Sequence, residues 1–548
     1  MVGGIICRMP RRPIPSMPAG TALTTPPGAW RSLARGQMLG LLLILGLAAG
    51  LRLYAISDSS FWLDEFCSME VSTGRGLAHV ALPTNVFIAS PGSLTSLAGA
   101  RPWWSIWTSM RLDNHPPLYF ILLRFWRDLF GEGDTAARSM SLIPSLAAII
   151  FLFDAVLVST RVPLVALAGA ALMAVAMPQV HFAQEARGYS LLVATELAAC
   201  AALVRCQCLG FSPRRAIAMA CAVLAMLLTH YYAVAPLAAL GIYALCRLRD
   251  KARFKAIAAM FAAGLIFAVA WGPFLWQQHS SVAANNSWQI DGSAKHVSMT
   301  ILRAAVLPLR LLSENLAVIS LDPERYCALA PIAAIAYVAP LFLLRKRPHL
   351  LLWYLIFILP VCMVMAIDLA DHRLQTSIVR YTQLAGPGLY VLIAAAFAEA
   401  RPRYRYLFPA VTGLACLATI SRVYSSDTDS QLLADALNAD AHAGVPVVFA
   451  SAGRPDWYAG ALYLMVSHYA DVRGPILLLT RPAPPGWDQW LPQQTTLRLW
   501  LVCGRPIDRP DRLLPGVPTL TGPDNHVFFP AMGADLWKID RPPAAGAP

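Results

Sequence analysis

Long apolar stretches separated by short polar ones run through most of the chain, from about Leu39 to Ile420. A bilayer core about 30 Å thick needs roughly 20 apolar residues of α-helix, because each residue adds about 1.5 Å. Stretches near that length cover residues 38–56, 138–158, 162–180, 189–204, 215–229, 233–246, 255–277, 327–344, 350–367, 383–398 and 406–420. This pattern predicts a polytopic α-helical membrane protein with about 11–13 transmembrane helices.

A long polar segment, residues 57–115, follows the first predicted span. It contains "FWLDEFCSMEV" (61–71), in which Asp64 and Glu65 come directly after residues that favour the membrane–water boundary. It also contains "RPWWSIWTSM" (101–110), whose tryptophans favour a helix lying at the interface. We predict that this segment is the first outer loop and that it includes interfacial helices.

Composition agrees with a membrane protein, since 57% of the residues are hydrophobic and 14% are charged, with a mean hydropathy of +0.53. Soluble domains are roughly 45–50% apolar and about 25% charged. The formal net charge of +13 does not indicate nucleic-acid binding, because the basic residues cluster in short loops between apolar stretches. Cytoplasmic loops carry such an excess of Lys and Arg. The loops at 205–215, 247–255, 345–349 and 401–405 are therefore expected to face the cytoplasm.

Residues 116–130, "PPLYFILLRFWRDLF", form an apolar stretch that is short for a crossing and carries Arg124 and Asp128. We predict a half-inserted helix here, opened by Pro116 and Pro117 in its first turn. If this helix does not cross the membrane, all the basic loops fall on the same side. The outer side then receives residues 57–115, 184–190, 229–232, 278–325 and 371–381.

Three regions follow from these patterns. Residues 1–37 are Pro-rich and basic without a cleavage pattern, and are predicted to be a cytoplasmic tail. Residues 38–424 form the membrane module. In residues 425–548, short apolar runs such as "VPVVFAS" and "PILLLT" alternate with helical patterns such as "DWYAGALYLMVSHYA". This alternation is typical of a small α/β domain with a parallel sheet, and the number of spans before it makes the domain extracytoplasmic.

Polar side chains gather at the predicted outer ends of the spans. A charge at mid-bilayer costs roughly 2.5–3.5 kcal/mol on insertion scales, so such groups normally face a wet cavity or one another. The candidates are Asp64, Glu65, Asp113, Asn114, His115, Gln184, Glu185, Arg187, Tyr189, His230, Tyr231, Tyr232, Asp371, His372, Arg373, Arg380 and Tyr381. Carboxylates, histidines and arginines near one membrane face predict a reaction chamber at the outer leaflet.

Each of these residues, taken alone, also has a structural interpretation. Asp64 can cap a helix, with Glu65 favourable at the same positive helix end. His115 before two prolines suits a turn, and Arg187 and Arg380 suit interface anchors with their charged heads in water. Several clusters from separate parts of the chain fall on one face, and this convergence favours a shared site over independent capping and anchoring.

Four motifs resemble a known family. They are "FWLDE" after the first span, "NHPPLYF" opening the next helix, "QEARGYSLL" at a later helix start and "VRYTQLAGPGLY" near the last spans. In this order they resemble the polyprenyl-phosphate-sugar-dependent glycosyltransferases of the GT-C fold. More narrowly, they resemble the dolichyl-phosphate-mannose–protein mannosyltransferase and aminoarabinose transferase superfamily. The resemblance covers residues 38–420, and the acidic pair with "HPPLY" is its more specific part.

The resemblance implies an enzyme that moves a sugar from a polyprenyl-phosphate donor to a lipid, glycan or protein acceptor, with inversion at the anomeric carbon. It implies that Asp64 acts at the active site, where a carboxylate can take the acceptor's proton. Arginines suit the charge that develops on a phosphate leaving group. We therefore expect Arg187 and Arg380 to bind the donor phosphate, with Tyr189 and Tyr381 donating hydrogen bonds.

Further residues complete the predicted site. Asp113, His115 and His230 are expected to contact the acceptor or the donor. Glu65 is expected to assist Asp64, either by tuning its basicity or by holding a divalent ion with it, since adjacent carboxylates suit hard cations such as Mg²⁺ or Mn²⁺. Some family members carry a lysine in the "HPPLY" helix, and this chain has none there.

The predicted setting is a bacterial-type cytoplasmic (inner) membrane, with the active site facing the periplasm or the cell exterior. Two other classes stay open. A multi-span transporter or lipid flippase would place charges near mid-membrane on broken helices and carry related halves. Here the charges fall at helix ends and no repeat is evident in the sequence. The other class is a non-catalytic assembly factor with the same fold.

Overall fold

The computed structural model describes residues 30, 33–285, 289–313, 323–398, 410, 413–414, 416–417, 428–439, 444–490, 498–504, 510–515, 526–529, 532 and 534–540. The described part consists of a helical membrane module followed by a sheet with two helices. Most of the predicted tail and of the span at 406–420, and all of the basic loop at 401–405, lie outside the described residues. These three expectations therefore stay predictions.

Each predicted span of the membrane module that the structure describes is largely helical. Its helices are α1 Arg35–Leu53, α2 Leu63–Val71, α3 Ser105–Ser109, α4 Leu118–Phe130, α5 Asp134–Thr160, α6 Pro163–Val175, α7 Met177–His181, α8 Tyr189–Cys208, α9 Pro213–Thr229, α10 Val234–Arg247, α11 Asp250–Asn285, α12 His296–Arg310, α13 Pro323–Lys346, α14 Leu351–Asp371 and α15 Gly386–Ala398. Among the described residues, six stretches are long and apolar enough to cross a membrane: Arg35–Leu53, Asp134–Thr160, Tyr189–Cys208, Asp250–Gln278, Leu329–Lys346 and Pro348–Asp371. The predicted spans at 162–180, 215–229, 233–246 and 383–398 form the shorter helices α6, α9, α10 and α15. The predicted polytopic α-helical fold class is confirmed.

Helices α5 and α8 pack along each other at the centre of the bundle. In the most apolar 18-residue part of each helix, 67% of the residues are buried. In the corresponding part of α11 only 17% of the residues are buried. Large apolar side chains of this helix, such as Phe261 and Trp276, are exposed. Lipid tails are as apolar as these side chains, so helix association in a bilayer depends on close packing. Gly388 of α15 shows such packing, because a Cβ there would lie 2.4 Å from the carbonyl oxygen of Trp353 in α14.

The segment predicted to be the first outer loop, residues 57–115, folds into short elements between α1 and α4. They are α2, a 3-10 helix of Ala78–Ala81, the strand β1 (Phe87–Ile88) and α3, which lies within the predicted interfacial stretch at 101–110. Helix α4 begins directly after Pro117 and has 13 residues. At about 1.5 Å per residue it is roughly 20 Å long, which is shorter than the hydrocarbon core of a bilayer. Pro116 and Pro117 therefore precede the helix and do not lie in its first turn, and half-insertion stays a prediction.

The C-terminal domain contains helices α16 (Asp429–Ala439) and α17 (Tyr458–Tyr469) and the strands β2 Val447–Ala450, β3 Ile476–Leu479, β4 Arg498–Cys503, β5 His526–Phe529 and β6 Ala534–Asp540. The strand order is β1-β3-β2-β4-β6-β5. Strand β2 is parallel to both β3 and β4, as the buried apolar runs predicted. Strands β5 and β6 pair antiparallel, and the outer-loop strand β1 pairs antiparallel with β3, so the sheet is mixed.

The C-terminal domain is attached to the membrane module by polar contacts as well as by β1. The hydroxyl of Tyr469 donates to Oδ2 of Asp134 at 2.5 Å and accepts from the backbone N–H of Phe61 at 3.0 Å. Next to it, Nε2 of His468 lies 3.1 Å from Oδ1 of Asp134. These contacts join α17 to the first turn of α5 and to the segment before α2.

Helix α12 lies in the segment that the sequence predicted as an outer loop, residues 278–325. Arg303 and Arg310 interrupt its apolar residues, so it does not show the continuous run that identifies a span. The guanidinium of Arg310 donates to the carbonyl oxygens of Thr376 and Ser377, at 3.0 and 2.6 Å. Helix α12 therefore supports the segment between α14 and α15, which carries Arg380.

Candidate active site

Helix α2 presents its two adjacent carboxylates to different surroundings. Asp64 and Glu65 both lie in its first turn, where negative charge is favourable at the helix N-terminus. Neighbouring residues on an α-helix point about 100° apart. The side chain of Asp64 is 32% exposed, whereas that of Glu65 is 1% exposed. The helix thus separates the pair into one accessible and one buried carboxylate.

Glu65 is paired with Arg138 of α5, so its oxygens already have protein partners, and its predicted role in assisting Asp64 stays a prediction. Its two oxygens accept hydrogen bonds from Nε and Nη2 of Arg138 at 2.9 and 2.8 Å, and Oε1 also accepts from the N–H of Ala186 at 2.8 Å. Burial raises the pKa of Glu65 above its usual value, and Arg138 opposes this effect. The sequence could not show this pairing, because Arg138 lies 73 positions away.

Asp64 meets two arginines from distant parts of the chain. Nη1 of Arg380 donates to Oδ2 of Asp64 at 3.3 Å, and Nη2 of Arg187 lies 4.0 Å from the same oxygen. Nη1 of Arg187 donates to the carbonyl oxygen of Asp64 and to Oγ of Ser68, both at 3.1 Å. Burial alone would lower the pKa of Arg187, but the charges of Asp64 and Asp113 help raise it above its usual value. One carboxylate and two cations therefore share a site.

Asp113 and His115 form a second polar pair next to Arg187. Oδ1 of Asp113 accepts from the backbone N–H of His115 at 2.8 Å and lies 2.9 Å from its Nδ1. Nη2 of Arg187 lies 3.3 Å from Nε2 of His115. Burial alone would raise the pKa of Asp113, but the hydrogen bond and charge of His115 lower it below its usual value. Asp113 thus holds the His115 ring towards Arg187.

Aromatic rings surround the two arginines. The guanidinium carbon of Arg187 is 5.8 Å from the ring centroid of Tyr189, and that of Arg380 is 5.3 Å from that of Tyr381. Arg380 also lies 5.1 Å from the ring centroid of Trp62. Such cation–π contacts hold a guanidinium in place without neutralising it. Both tyrosines that the sequence assigned to phosphate binding are therefore beside the arginines.

His230 lies behind the other predicted site residues. Its ring centroid is 5.2 Å from that of His115 and 6.1 Å from that of Tyr189. Its Nδ1 accepts from the backbone N–H of Tyr232 at 3.1 Å. His230 borders a small neighbouring cavity and is not among the side chains that line the main one. The structure therefore places it in contact with site residues and away from the main cavity.

A cavity of about 520 Å³ joins these groups. This volume is within the usual range of about 300–1,000 Å³ for sites that hold small molecules. The lining residues are Trp62, Leu63, Asp64, Cys67, Leu77, His79, Val80, Leu112, Asp113, Asn114, His115, Arg187, Tyr189, Arg380, Tyr381, Arg454, Pro455, Trp457 and Tyr458. Eight of the polar residues predicted for the reaction chamber thus line one cavity: Asp64, Asp113, Asn114, His115, Arg187, Tyr189, Arg380 and Tyr381.

Comparison with known proteins gives the fold. No protein-family model matches the chain, and no curated protein sequence matches it. The structure of ArnT from Cupriavidus metallidurans in the apo state is similar, with 14% identity, a TM-score of 0.52, and 92% of this chain and 98% of that chain covered. The structure of ArnT from the same organism bound to undecaprenyl phosphate has 14% identity and a TM-score of 0.50 over 94% of this chain and 100% of that chain. The chain has the GT-C fold.

An oligosaccharyltransferase of Archaeoglobus fulgidus is also similar, with 11% identity and a TM-score of 0.47 over 86% of this chain and 68% of that chain. Within the GT-C fold of this chain, the four sequence motifs meet at the cavity. "FWLDE" supplies Asp64, "NHPPLYF" supplies His115, "QEARGYSLL" supplies Arg187, and "VRYTQLAGPGLY" supplies Arg380 and Tyr381.

Part of the cavity wall was not predicted from the sequence. His79 comes from the 3-10 helix of the first outer loop, and Arg454, Trp457 and Tyr458 come from the C-terminal domain. No run or spacing in the sequence connects these residues to the motifs. The only available signal was a polar residue, His79, between apolar neighbours in the outer loop. Part of the cavity wall in this GT-C fold thus comes from the domain that the motifs do not include.

The predicted divalent-ion site does not fit the residues present. The oxygens of Glu65 are occupied by Arg138 and Ala186, and Asp64 faces two guanidinium groups, which repel a cation. Within the part of the chain that the structure describes, no group of three or more His, Cys, Asp or Glu side chains is placed to hold a metal ion. No step of the proposed reaction is therefore assigned to a metal.

Proposed function

We propose that this chain is a membrane glycosyltransferase that moves a sugar from a polyprenyl-phosphate donor to a lipid, glycan or protein acceptor. The proposal rests on one observation, the presence of Asp64, Arg187 and Arg380 in a single cavity. The fold likeness to ArnT, which has been solved with undecaprenyl phosphate bound, supports a polyprenyl-phosphate donor.

The proposed reaction is a direct displacement with inversion. The C1–O bond to the phosphate breaks, and its electron pair leaves with the phosphate oxygen as polyprenyl phosphate. The acceptor oxygen bonds to C1 from the opposite side, and its proton passes to the carboxylate of Asp64. Arg187 and Arg380 stabilise the charge that develops on the phosphate, because charge-assisted hydrogen bonds are strongest to such groups.

The other predicted residues support these groups. Tyr189 and Tyr381 lie beside the arginines and supply hydroxyl donors for phosphate oxygens. His115, oriented by Asp113, contacts Arg187 and borders the space available to the substrates. His230 supports His115 and Tyr189 from behind. The proposal thus gives Tyr189 and Tyr381 contacts with the donor phosphate and gives His230 a positioning role.

The proposed location is the cytoplasmic membrane, with the cavity open to the periplasm or the cell exterior. The basic loops at 205–215, 247–255 and 345–349 support this orientation, since positive loops stay on the cytoplasmic side. The cavity residues belong to segments that the charge pattern assigns to the opposite side. Accessibility of a cysteine introduced at Asp58, on the turn after α1, to a membrane-impermeant maleimide in intact cells would test this orientation.

The deciding experiment replaces Asp64 with Asn and measures sugar transfer by the reconstituted protein. Radiolabelled undecaprenyl-phosphate sugars serve as donors, and lipid A, a lipid-linked oligosaccharide and a Ser/Thr-rich peptide serve as acceptors. We expect D64N to lose about 10²–10⁴-fold in rate, the usual contribution of a general base. The matched control is Asp58→Asn, an exposed aspartate six positions earlier, which should keep the wild-type rate.

Three other results would contradict the proposal. Transfer by D64N at the wild-type rate would exclude Asp64 as the base. Movement of labelled lipid across sealed vesicles by wild-type protein, without transfer, would favour a transporter or flippase. Failure of wild-type protein to transfer sugar from any donor, while it still folds and binds undecaprenyl phosphate, would favour a non-catalytic assembly factor.

A further inference from the structure

A buried carboxylate–imidazole pair borders the cavity apart from the arginines. Oε2 of Glu70 lies 2.6 Å from Nδ1 of His79, and Oε1 accepts from the backbone N–H of His79 at 2.8 Å. The side chains of Glu70 and His79 are 0% and 3% exposed. An ionised carboxylate only accepts hydrogen bonds, so Nδ1 carries a proton in this pair. Glu70 therefore fixes both the tautomer and the orientation of the imidazole.

The second ring nitrogen of His79 remains available. Among the described residues, no group makes a hydrogen bond to Nε2, while the residue itself lines the main cavity. With Nδ1 protonated, a neutral imidazole presents Nε2 as an acceptor. A hydroxyl group of a substrate in this cavity can donate a hydrogen bond to such an atom.

The C-terminal domain places aromatic rings beside this histidine. Gly460 of α17 packs against the 3-10 helix of Ala78–Ala81, and a Cβ at Gly460 would lie 2.4 Å from the carbonyl oxygen of His79. Trp457 and Tyr458 precede Gly460, and both line the same cavity. Their ring centroids are 5.7 Å apart in an edge-to-face arrangement. The close glycine contact thus holds His79 and this aromatic pair on neighbouring parts of the wall.

This part of the wall differs chemically from the part around Asp64, although it also carries one cation, Arg454, whose guanidinium carbon lies 5.3 Å from the ring centroid of Tyr458. Arg187 and Arg380 provide fixed positive charge, as a phosphate requires. His79 provides a hydrogen-bond acceptor, and Trp457 and Tyr458 provide flat apolar faces with polar edges. Sugar rings combine hydroxyl donors with apolar C–H faces, so they match an imidazole acceptor next to aromatic rings. A peptide in extended form would mainly require backbone hydrogen-bond partners along a sheet edge.

We propose that His79, held by Glu70, and the aromatic pair Trp457–Tyr458 form the acceptor subsite, and that the acceptor is a saccharide. This inference rests on the proposed glycosyltransferase function and assigns its acceptor class. The hydrogen bond to Nε2 positions one acceptor hydroxyl while Asp64 takes the proton of the reacting one. Glu70 is a positioning residue, because it acts only through His79. No additional covalent step is required.

The test uses the full-length protein with the variants His79→Gln, Glu70→Gln and Trp457→Ala. Donors are radiolabelled undecaprenyl-phosphate sugars, and acceptors are lipid A, a lipid-linked oligosaccharide and a Ser/Thr-rich peptide. We expect His79→Gln and Trp457→Ala each to raise the KM for the saccharide acceptor about tenfold, the equivalent of one lost contact. The KM for the donor and the affinity for undecaprenyl phosphate should stay within about twofold, because the arginines are unchanged.

The matched control is His526→Gln. His526 also pairs with a buried carboxylate, since its Nε2 lies 2.8 Å from Oδ1 of Asp535, but it belongs to β5 and does not line the cavity. This variant should keep both KM values. Glu70→Gln separates positioning from folding, because it should raise the acceptor KM at an unchanged donor KM. A variant that only weakened the fold would instead lower the amount of active enzyme and leave both KM values unchanged.

Specific results would overturn the inference. An unchanged acceptor KM in His79→Gln and Trp457→Ala would remove the subsite, and transfer to the peptide alone would remove the saccharide class. Either result leaves the glycosyltransferase proposal standing, provided that the wild-type protein transfers sugar. If the wild-type protein transfers sugar from no donor to any acceptor, the proposed function itself fails, and this inference fails with it.

Discussion

Arg138 encloses the carboxylate of Glu65, donating to both oxygens at 2.9 and 2.8 Å with both side chains almost fully buried. Arg138 also donates to the carbonyl oxygens of Ile56, Ser59 and Ser60, at 2.8–3.0 Å. The pair therefore fixes the turn between α1 and α2 and sets the direction in which Asp64 leaves the helix.

Removal of one partner of this pair should destabilise the protein. Glu65→Ala leaves the guanidinium of Arg138 buried without its counter-charge, which typically costs about 3–5 kcal/mol. We expect a clear fall in the thermal unfolding midpoint of the detergent-solubilised protein. The control is Asp128→Asn, which breaks the exposed Arg124–Asp128 pair and should change stability by less than about 0.5 kcal/mol. Normal stability of Glu65→Ala, with activity restored by added Mg²⁺ or Mn²⁺, would instead support a metal role.

Loss of one arginine should weaken binding of the donor lipid. Arg380→Gln removes a charged donor that also contacts Asp64. Hydrogen bonds to charged groups are worth about 1.5–3 kcal/mol, so the affinity for undecaprenyl phosphate should fall roughly 10–100-fold. Thermophoresis with labelled protein would measure this. Arg473→Gln, at an exposed ion pair of the C-terminal domain, is the control and should bind normally. Equal affinity of both variants would exclude Arg380 from phosphate binding.

The Asp113–His115 pair should make the free energy of unfolding depend on pH in the acidic range. The pKa of Asp113 is lower in the folded protein than its usual value of about 3.9, so its ionised form contributes stability at higher pH. This contribution is complete above about pH 4 and is lost as the pH falls through the lowered folded pKa. Asp113→Asn should therefore unfold at a lower temperature than wild type at pH 7. The difference should shrink below about pH 4 in calorimetry across pH, and a constant difference would contradict the assignment.

The junction between the C-terminal domain and α5 should depend on Tyr469. Tyr469→Phe removes its hydrogen bonds to Asp134 and Phe61 and should cost about 1–3 kcal/mol. Because the bonds cross the junction, limited proteolysis should release the domain faster from this variant. Tyr354→Phe removes a hydroxyl contact inside the bundle and should leave the release rate unchanged. Equal release rates from both variants would show that the other junction contacts are sufficient.

Sequence patterns were sufficient to predict the membrane helices and the centre of the C-terminal sheet. Apolar length identifies a span directly, and the buried strands β2, β3 and β4 appear as short continuous apolar runs. Helix α12 was missed because Arg303 and Arg310 interrupt its apolar residues, and the carbonyl oxygens that accept from Arg310 lie on another element. Strand β1 has two residues, and its pairing with β3 leaves no local signal.

The candidate site was only partly predictable for the same physical reason. Asp64, Arg187 and Arg380 were identified because each is a charged residue at the end of an apolar stretch, where burial is costly. Glu65 carries the same signal, and only three-dimensional packing distinguishes its buried oxygens from those of Asp64. His79 and Trp457 have no such signal, since an isolated histidine or tryptophan suits many environments. Their significance depends on a contact between the outer loop and a domain much later in the chain.

The contact between Phe61 and Tyr469 joins positions 408 residues apart in the sequence. During synthesis, the helices enter the bilayer long before Tyr469 leaves the ribosome. A nascent chain can therefore gather its charged groups early, yet it lacks one side of the enclosure until translation is nearly over. The wall that Trp457 and Tyr458 contribute is consequently the last part of the cavity to be synthesised, and a prematurely terminated copy would lack it.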